Sequence, residues 1–352
     1  VRFFVRGWFT TRVGNSFRNG NPRRLIMTFA HRKFAMPTLV ASSPEPHPLK
    51  ANSDSIRIAS HLEVAAARYD NIDVELDSEA RTYWCHMRGR GNVTQGLLDD
   101  LIHMQGSIKR MFSERADESE RPFTYFVFGS RILGTFSLGG DLAMFAEKIR
   151  SGDRASLRHY AHSCIDVVHA NHTAFDLPVV TLALVQGDAL GGGFESALSM
   201  DLIVAEKSAK MGLPEILFNL FPGMGAYSFL SRRLDAARAE KMILSGHIYT
   251  AAELHDMGIV DVLAEDGEGE EAAREYIDRH AHRHNAYRSV FQTRRRVNPI
   301  TKDELRDVVD IWTEAVFNLK ETDLRKMARL TAAQERRRTT LHAAAIAAMS
   351  AE

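Results

Sequence analysis

Glu195 and Glu215 stand 20 positions apart, each beside a glycine-rich stretch, and there residue types and spacing could do chemistry. Gly191, Gly192 and Gly193 follow the apolar run "LALVQGDAL" and precede "FESALS", which reads as a helix with Glu195 in its first turn. The first N–H groups of a helix have no intrahelical partner, and the helix dipole adds positive charge around them. Glycine removes the Cβ that would hold a ligand away. Such a place suits an oxygen that gains negative charge during a reaction. A second pair, Gly139 and Gly140 in "FSLGGDLAMF", follows a strand and also opens a helix. Two such loops could supply two convergent N–H donors, an oxyanion hole, and losing one such donor typically costs about 10²–10³ in rate. Each loop alone also fits a plain strand-to-helix turn. The spacing is neither GxxxxGK[ST] nor GxGxxG, so a phosphate loop does not fit.

Glu215 comes directly after Pro214 in "GLPEILFNLFPGMGA". Proline at a first helical position fixes φ, and a carboxylate there complements the dipole. Ordinary helix-start chemistry therefore accounts for Glu215, and for Glu195, without catalysis. Both are nonetheless set among apolar residues and glycines, and burial raises a carboxyl pKa towards that of a useful general acid. Two carboxyls near one oxyanion hole make a plausible acid/base pair. Ser196 lies in a GxxS context rather than GxSxG, which argues against a serine-hydrolase triad.

The elements that must hold these groups show in the hydrophobic pattern. Period-two stretches at Asn71–Asp77 and Arg81–Met87 predict adjacent strands of a hairpin or meander. Val93–Glu114 has helical spacing. Pro122–Ser130 and Pro178–Gly187 read as buried strands, and Asp201–Lys207 as a short one. A long helical stretch runs from Leu142 to His172, with a break at Gly152 where Asp153 could cap a second segment. Further helices are predicted over Ala226–Leu234, Ala236–Ser245, Ala251–Met257, Glu270–Arg283 and Lys302–Leu319. Strands alternating with helices, then helices alone, predict an α/β core with a helical C-terminal region.

Composition sets the boundaries. The 352 residues carry 45 Lys+Arg and 45 Asp+Glu, so global charge points neither to a nucleic-acid binder nor to an acidic solvating protein. Cys85 and Cys164 form no CxxC, which argues against a disulfide framework or zinc site and fits a reducing cytosol. The apolar run at Leu177–Val185 is far shorter than the roughly 20 residues that span a bilayer. Residues 1–44 hold eight basic residues and no acidic one. This fits an organellar transit peptide, a disordered basic arm, or a start placed too far upstream of Met27 or Met36; we favour the last and treat 1–50 as an extension outside the fold. "SSPEPHP" (Ser42–Pro48) reads as a linker. The remaining boundaries are a core over 51–268, a helical region over 269–339 and an Ala-rich tail over 340–352.

At this level the chain resembles a known family. "LALVQGDALGGGFESALSMDLIVAEKSAKMGLPEILFNLFPGMGA" is similar to the crotonase, or enoyl-CoA hydratase/isomerase, superfamily, a likeness running from about Asn71 to Val262. "FSLGGDLAMF", "ALVQGDALGGGFESALS" and "GLPEILFNLFPGMGAYSFLSRRL" look most like the synthases of diffusible signal factors, bacterial enzymes that make cis-2-unsaturated fatty-acid signals. The resemblance implies a crotonase-like ββα spiral core. It implies that the Gly140 and Gly192 N–H groups hold a thioester oxygen and that Glu195 and Glu215 act as the acid/base pair. It implies dehydration of a 3-hydroxyacyl thioester, carried by acyl carrier protein or coenzyme A, and then hydrolysis of the thioester, with no separate cofactor and no metal. C-terminal helices would cover the acyl slot, with Met224, Trp312 and Leu330 lining it, although ordinary core packing accounts for those three as well. A trimer or dimer of trimers in the cytoplasm, with a sensor kinase as regulator, is the implied setting. An ordinary enoyl-CoA hydratase is the alternative; a scaffold that binds RNA or a sensor without catalysis is a second one.

Two other features invite chemistry. His280, His282 and His284 in "RHAHRHN" include one helical-face pair, His280 and His284, with no third ligand evident, so a solvated helix is the preferred reading over a metal site. The clusters Arg294–Arg296 and Arg336–Arg338 are read as solvated faces. Alternatively they meet an acidic carrier protein or coenzyme A phosphates.

Overall fold

The computed structural model describes residues 60, 63–64, 66–113 and 121–349. The basic segment 1–44, the linker and the 1–50 extension lie outside the described residues. The strands are β1 (Ile72–Asp77), β2 (Thr82–Met87), β3 (Asn92–Val93), β4 (Tyr125–Ser130), β5 (Thr135–Ser137), β6 (Gly139–Gly140), β7 (Val180–Val185), β8 (Asp188–Leu190), β9 (Leu202–Glu206), β10 (Lys210–Gly212), β11 (Ile248–Thr250) and β12 (Val262–Ala264). The helices are α1 (Gln95–Ser113), α2 (Leu142–Ser151), α3 (Arg154–His172), α4 (Gly192–Leu198), α5 (Ala226–Arg233), α6 (Ala236–Ser245), α7 (Ala251–Asp256), α8 (Gly269–Ala281), α9 (His284–Val297), α10 (Lys302–Val316) and α11 (Glu321–Met349).

Strands β1-β2-β4-β7-β9-β12 form a six-stranded sheet in that order. Only the β1–β2 pair is antiparallel; the rest run parallel. A strand alternates its side chains between faces, and the central strands bury both. Tyr83, Cys85, Phe126, Phe128, Ala183 and Val185 point into the main core, while Trp84, Tyr125, Val127, Leu182 and Leu184 meet Ala273 and Ile277 of α8 and Phe291 of α9. Near-continuous apolar runs are what such two-sided burial requires.

A second sheet of order β11-β10-β8-β5 and a two-stranded ribbon of β3 and β6 complete the strand framework. These short pieces escape a periodicity reading because two or three residues hold no period. They are what carries the glycine loops. Gly139 and Gly140 do not open a helix: they form β6, paired in parallel with Asn92 and Val93. Asp141 then caps α2, accepting from the Ala143 and Met144 amides at 3.0 and 3.1 Å.

The break at Gly152 is present. Gly152 is left-handed at φ +70° and closes α2; Asp153 starts α3 by accepting from Ser156 N at 3.1 Å. The C-terminal region is helical, and α11 is one helix running across residue 340, where the sequence reading starts a tail. No helix among the described residues is long and apolar enough to cross a membrane.

Two surface readings change. His280 Nδ1 is hydrogen-bonded to Tyr276 O at 2.7 Å and His284 Nε2 to Thr124 O at 3.0 Å, so both rings are half-buried and tied to carbonyls rather than simply solvated. Arg294 and Arg295 both reach the buried carboxylate of Asp201, at 3.1 and 2.6 Å, and Arg337 reaches buried Asp188 at 3.1 Å. A carboxylate taken out of water needs such partners; neither basic cluster is only a solvated face.

Candidate active site

Gly191 ends the approach to α4 with φ +53°, a conformation that disfavours any side chain. Its N–H donates to Gly212 O at 2.9 Å, fixing the turn against β10. Gly192 is then the first residue of α4, where N–H groups lack intrahelical acceptors. Gly139, at φ +76°, packs so tightly on this turn that a Cβ there would lie 2.9 Å from Gly192 N and 2.7 Å from Leu190 O. The two glycine loops are thus in direct backbone contact. A Cβ built on Gly192 would lie 3.8 Å from Gly140 N and 3.9 Å from Glu195 Oε2. One on Gly191 would lie 2.4 Å from Glu215 Oε1. Both loops and both carboxyls therefore converge on one small region.

Glu195 is buried on α4, and its Oε1 accepts from the backbone amides of Met224 at 2.7 Å and Ala226 at 2.9 Å. Burial pushes its carboxyl up to about 7, against the opposing pull of those two amides. Glu215 is not on an α-helix. It sits in a 3-10 turn, Pro214–Phe218, closed by Asn219 in the left-handed conformation. Burial first, and the neighbouring Glu195 charge second, raise its carboxyl to about 8. Its Oε2 is buried without a hydrogen-bond partner in the protein. Two carboxyls that repel each other out of water titrate as a pair, so near neutral pH the pair holds a proton it can exchange.

The region opens into a cavity of about 240 Å³. Gly140, Gly192, Glu195, Glu215, Met224, Trp312 and Leu330, every candidate site residue of the sequence reading, are on its wall. Most of the rest is apolar: Leu97, Leu98 and Leu101 of α1, Val167 and Val168 of α3, Met87 and Phe128 from the sheet. Among the described residues, Lys and Arg are absent from its lining. Leu330, Ala333 and Gln334 of α11 close one side.

The sequence reading missed the amides of Met224 and Ala226, although "PGMG" was a signal: glycines on both sides of a residue leave its backbone open to a ligand or a carboxylate. It also missed Phe145, five residues after Gly140, and Tyr160, which the fold brings beside that glycine; both are on the cavity wall.

With this geometry in hand, likeness to known proteins takes on meaning. The family model described as enoyl-CoA hydratase/isomerase matches residues 118–339, more than half of the chain. The chain belongs to the enoyl-CoA hydratase/isomerase family. It is 31% identical over 211 residues to the mitochondrial methylglutaconyl-CoA hydratase of Rattus norvegicus, a match covering 58% of this chain and 65% of that one. The chain thus spans a little under two thirds of that relative's length. The structure of DspI from Pseudomonas aeruginosa is similar, with TM-score 0.56 and 25% identity over 68% of this chain and 86% of that one. The enoyl-CoA hydratase structure from Bacillus halodurans shares the fold at TM-score 0.61 and 20% identity, over 74% of this chain and 100% of that one. As a family member the chain has the α/β crotonase fold with a helical C-terminal region.

Proposed function

We propose that the chain dehydrates a 3-hydroxyacyl thioester and then hydrolyses the thioester, releasing a cis-2-unsaturated fatty acid of the diffusible-signal-factor kind. The observation that carries this reading is the convergence of two proton-exchanging carboxyls and two glycine loops at one end of an apolar cavity. The thioester oxygen sits between the Gly140 and Gly192 amides, which stabilise the negative charge that grows on it. That acidifies the α-carbon. One glutamate removes the α-proton, and the other delivers a proton to the 3-hydroxyl, which leaves as water as the C2–C3 double bond forms. Each transfer is worth roughly 10²–10⁴ in rate. In hydrolysis, water activated by a glutamate adds to the same carbonyl carbon; the oxyanion collapses, the C–S bond breaks and the thiol leaves protonated.

The apolar lining supports an aliphatic acyl chain, since a buried carboxylate without a partner is strongly disfavoured. The same proposal takes the substrate on acyl carrier protein or coenzyme A without a separate cofactor. It places a trimer, or a dimer of trimers, in the cytoplasm under a sensor kinase.

The likeness to methylglutaconyl-CoA hydratase favours a second reading, an ordinary enoyl-CoA hydratase that stops at the thioester. One assay separates them. Purified protein is given 3-hydroxydodecanoyl carrier protein and the products are read by mass spectrometry. Free 2-dodecenoic acid is expected; enoyl thioester alone would establish the ordinary hydratase.

A further inference from the structure

Two aromatic residues join the halves of the site. A Cβ on Gly140 would lie 2.5 Å from Phe145 Cζ and 2.8 Å from its Cε2, so the ring edge rests on the Gly140 backbone. Phe145 meets Trp312 edge to face, ring centroids 5.4 Å apart at 69°. A Cβ on Gly223 would lie 2.4 Å from Trp312 Cγ and 2.6 Å from its Cβ and Cδ1. Gly223 precedes Met224, whose amide is one of the two holding Glu195. Phe145 also meets Tyr160, centroids 5.4 Å apart, and the Tyr160 hydroxyl donates to Val93 O at 2.8 Å. Val93 is the ribbon partner of Gly140, so the contacts close a ring. Phe145, Tyr160 and Trp312 are all buried.

We propose that Phe145 and Trp312 are positioning residues, an aromatic brace that fixes the Gly140 loop against the turn whose amides hold Glu195. The inference rests on the reading of Gly140 and Glu195 as the groups that touch substrate. Its physical basis is close packing: rings seated on bare glycine backbone leave no slack, and a misplacement of about 1 Å costs roughly 10² in rate. The glycines at 140 and 223 are needed because any side chain would push the rings away. The brace leaves Glu195 sensitive to it. If the Gly223–Met224 backbone drifts, the amide bonds that oppose burial weaken and the Glu195 carboxyl rises further. The other titratable groups around Glu195 are Glu215, Tyr160 and Cys164; burial keeps the phenol and the thiol neutral.

The test is carboxyl titration of the full chain by difference infrared spectroscopy, with Glu195→Gln assigning the band, alongside kcat and KM for 3-hydroxydodecanoyl-CoA. Trp312→Ala removes Cγ and Cδ1 from Gly223; it should raise the Glu195 midpoint by about one unit or more. It should also lower kcat about 10–100-fold. Trp312→Phe retains Cβ, Cγ and Cδ1 and should restore the wild-type midpoint. Should Trp312→Ala not fold, Phe145→Leu makes the same test from the other end of the brace. A folded Trp312→Ala or Phe145→Leu protein with an unshifted midpoint, or with KM alone raised, would overturn the proposal and leave the rings as pocket wall. Shifted midpoints in a protein that turns over no thioester would uphold the brace and overturn the catalytic reading instead.

Discussion

Glu195 and Glu215 line one cavity but are held unequally: Glu195 Oε1 accepts two backbone amides, whereas Glu215 Oε2 is buried with no partner in the protein. A carboxylate that already accepts two amides is fixed in place and helped to ionise. One with an oxygen left unpaired stays protonated more readily. The asymmetry gives the pair one member helped to ionise and one that keeps its proton more readily, which suits the two proton transfers proposed above.

Replacing either glutamate should stop the chemistry while leaving binding. Glu195→Gln and Glu215→Gln keep the shape and remove proton exchange, so kcat should fall at least about 10²-fold for each, with KM little changed. Steady-state kinetics on 3-hydroxyacyl-CoA check this. Unaltered turnover in both variants would favour the non-catalytic scaffold.

The same variants should change stability with pH. Each carboxyl has a folded pKa raised above its ordinary value, mainly by burial. Stability from such a group is fully present below the ordinary carboxylate pKa and is lost as pH rises through the raised one, because the unfolded chain then binds fewer protons. Glutamine cannot ionise. Glu215→Gln should therefore melt about 2–6 °C above wild type at pH 8, with the gap closing near pH 4.5. Calorimetry across that range reads it.

Gly191→Ala and Gly192→Ala should separate folding from catalysis. Alanine at 191 is strained at φ +53° and overlaps Glu215 Oε1. It should cost about 1–3 kcal/mol of stability as well as activity. At 192 every neighbour of the new Cβ is 3.6 Å away or more, an ordinary contact. That protein should fold like wild type, yet its methyl group fills the space beside Gly140 N and should lower kcat/KM by about 10² or more. Thermal melts paired with kinetics check both.

The cavity should discriminate against a charged chain end. With no Lys or Arg on its wall among the described residues, a thioester bearing an ω-carboxylate would bury an unpaired charge. Its kcat/KM should be about 10³-fold or more below that of the unsubstituted thioester of equal length. Competition between the two in one assay measures the ratio.

Much of this was legible in the chain itself, and the reasons are physical. Glu195 and Glu215 stood out because carboxyls among glycines and apolar residues need a reason to be there. The strands β4 and β7 were readable because five or six buried residues in a row leave few other structures, whereas β2 reads as an apparent alternation although all six of its residues are buried. Asp153 announced the start of α3. What stayed hidden depends on contacts distant in sequence: the β3–β6 ribbon is too short to have a period, and no local pattern links Phe145 to Trp312 or Gly140 to Val93. Arg294 and Arg295 looked like surface because nothing near them in sequence announces Asp201.

Gly139 resting on the Gly192 amide carries one last implication. The spacing between the two donor loops is set where main chain meets main chain, with no side chain between them. Substitutions elsewhere on the cavity wall can recut the room for the acyl tail and leave that spacing alone. Tail preference and carbonyl chemistry are therefore separable traits in this protein, open to change one at a time.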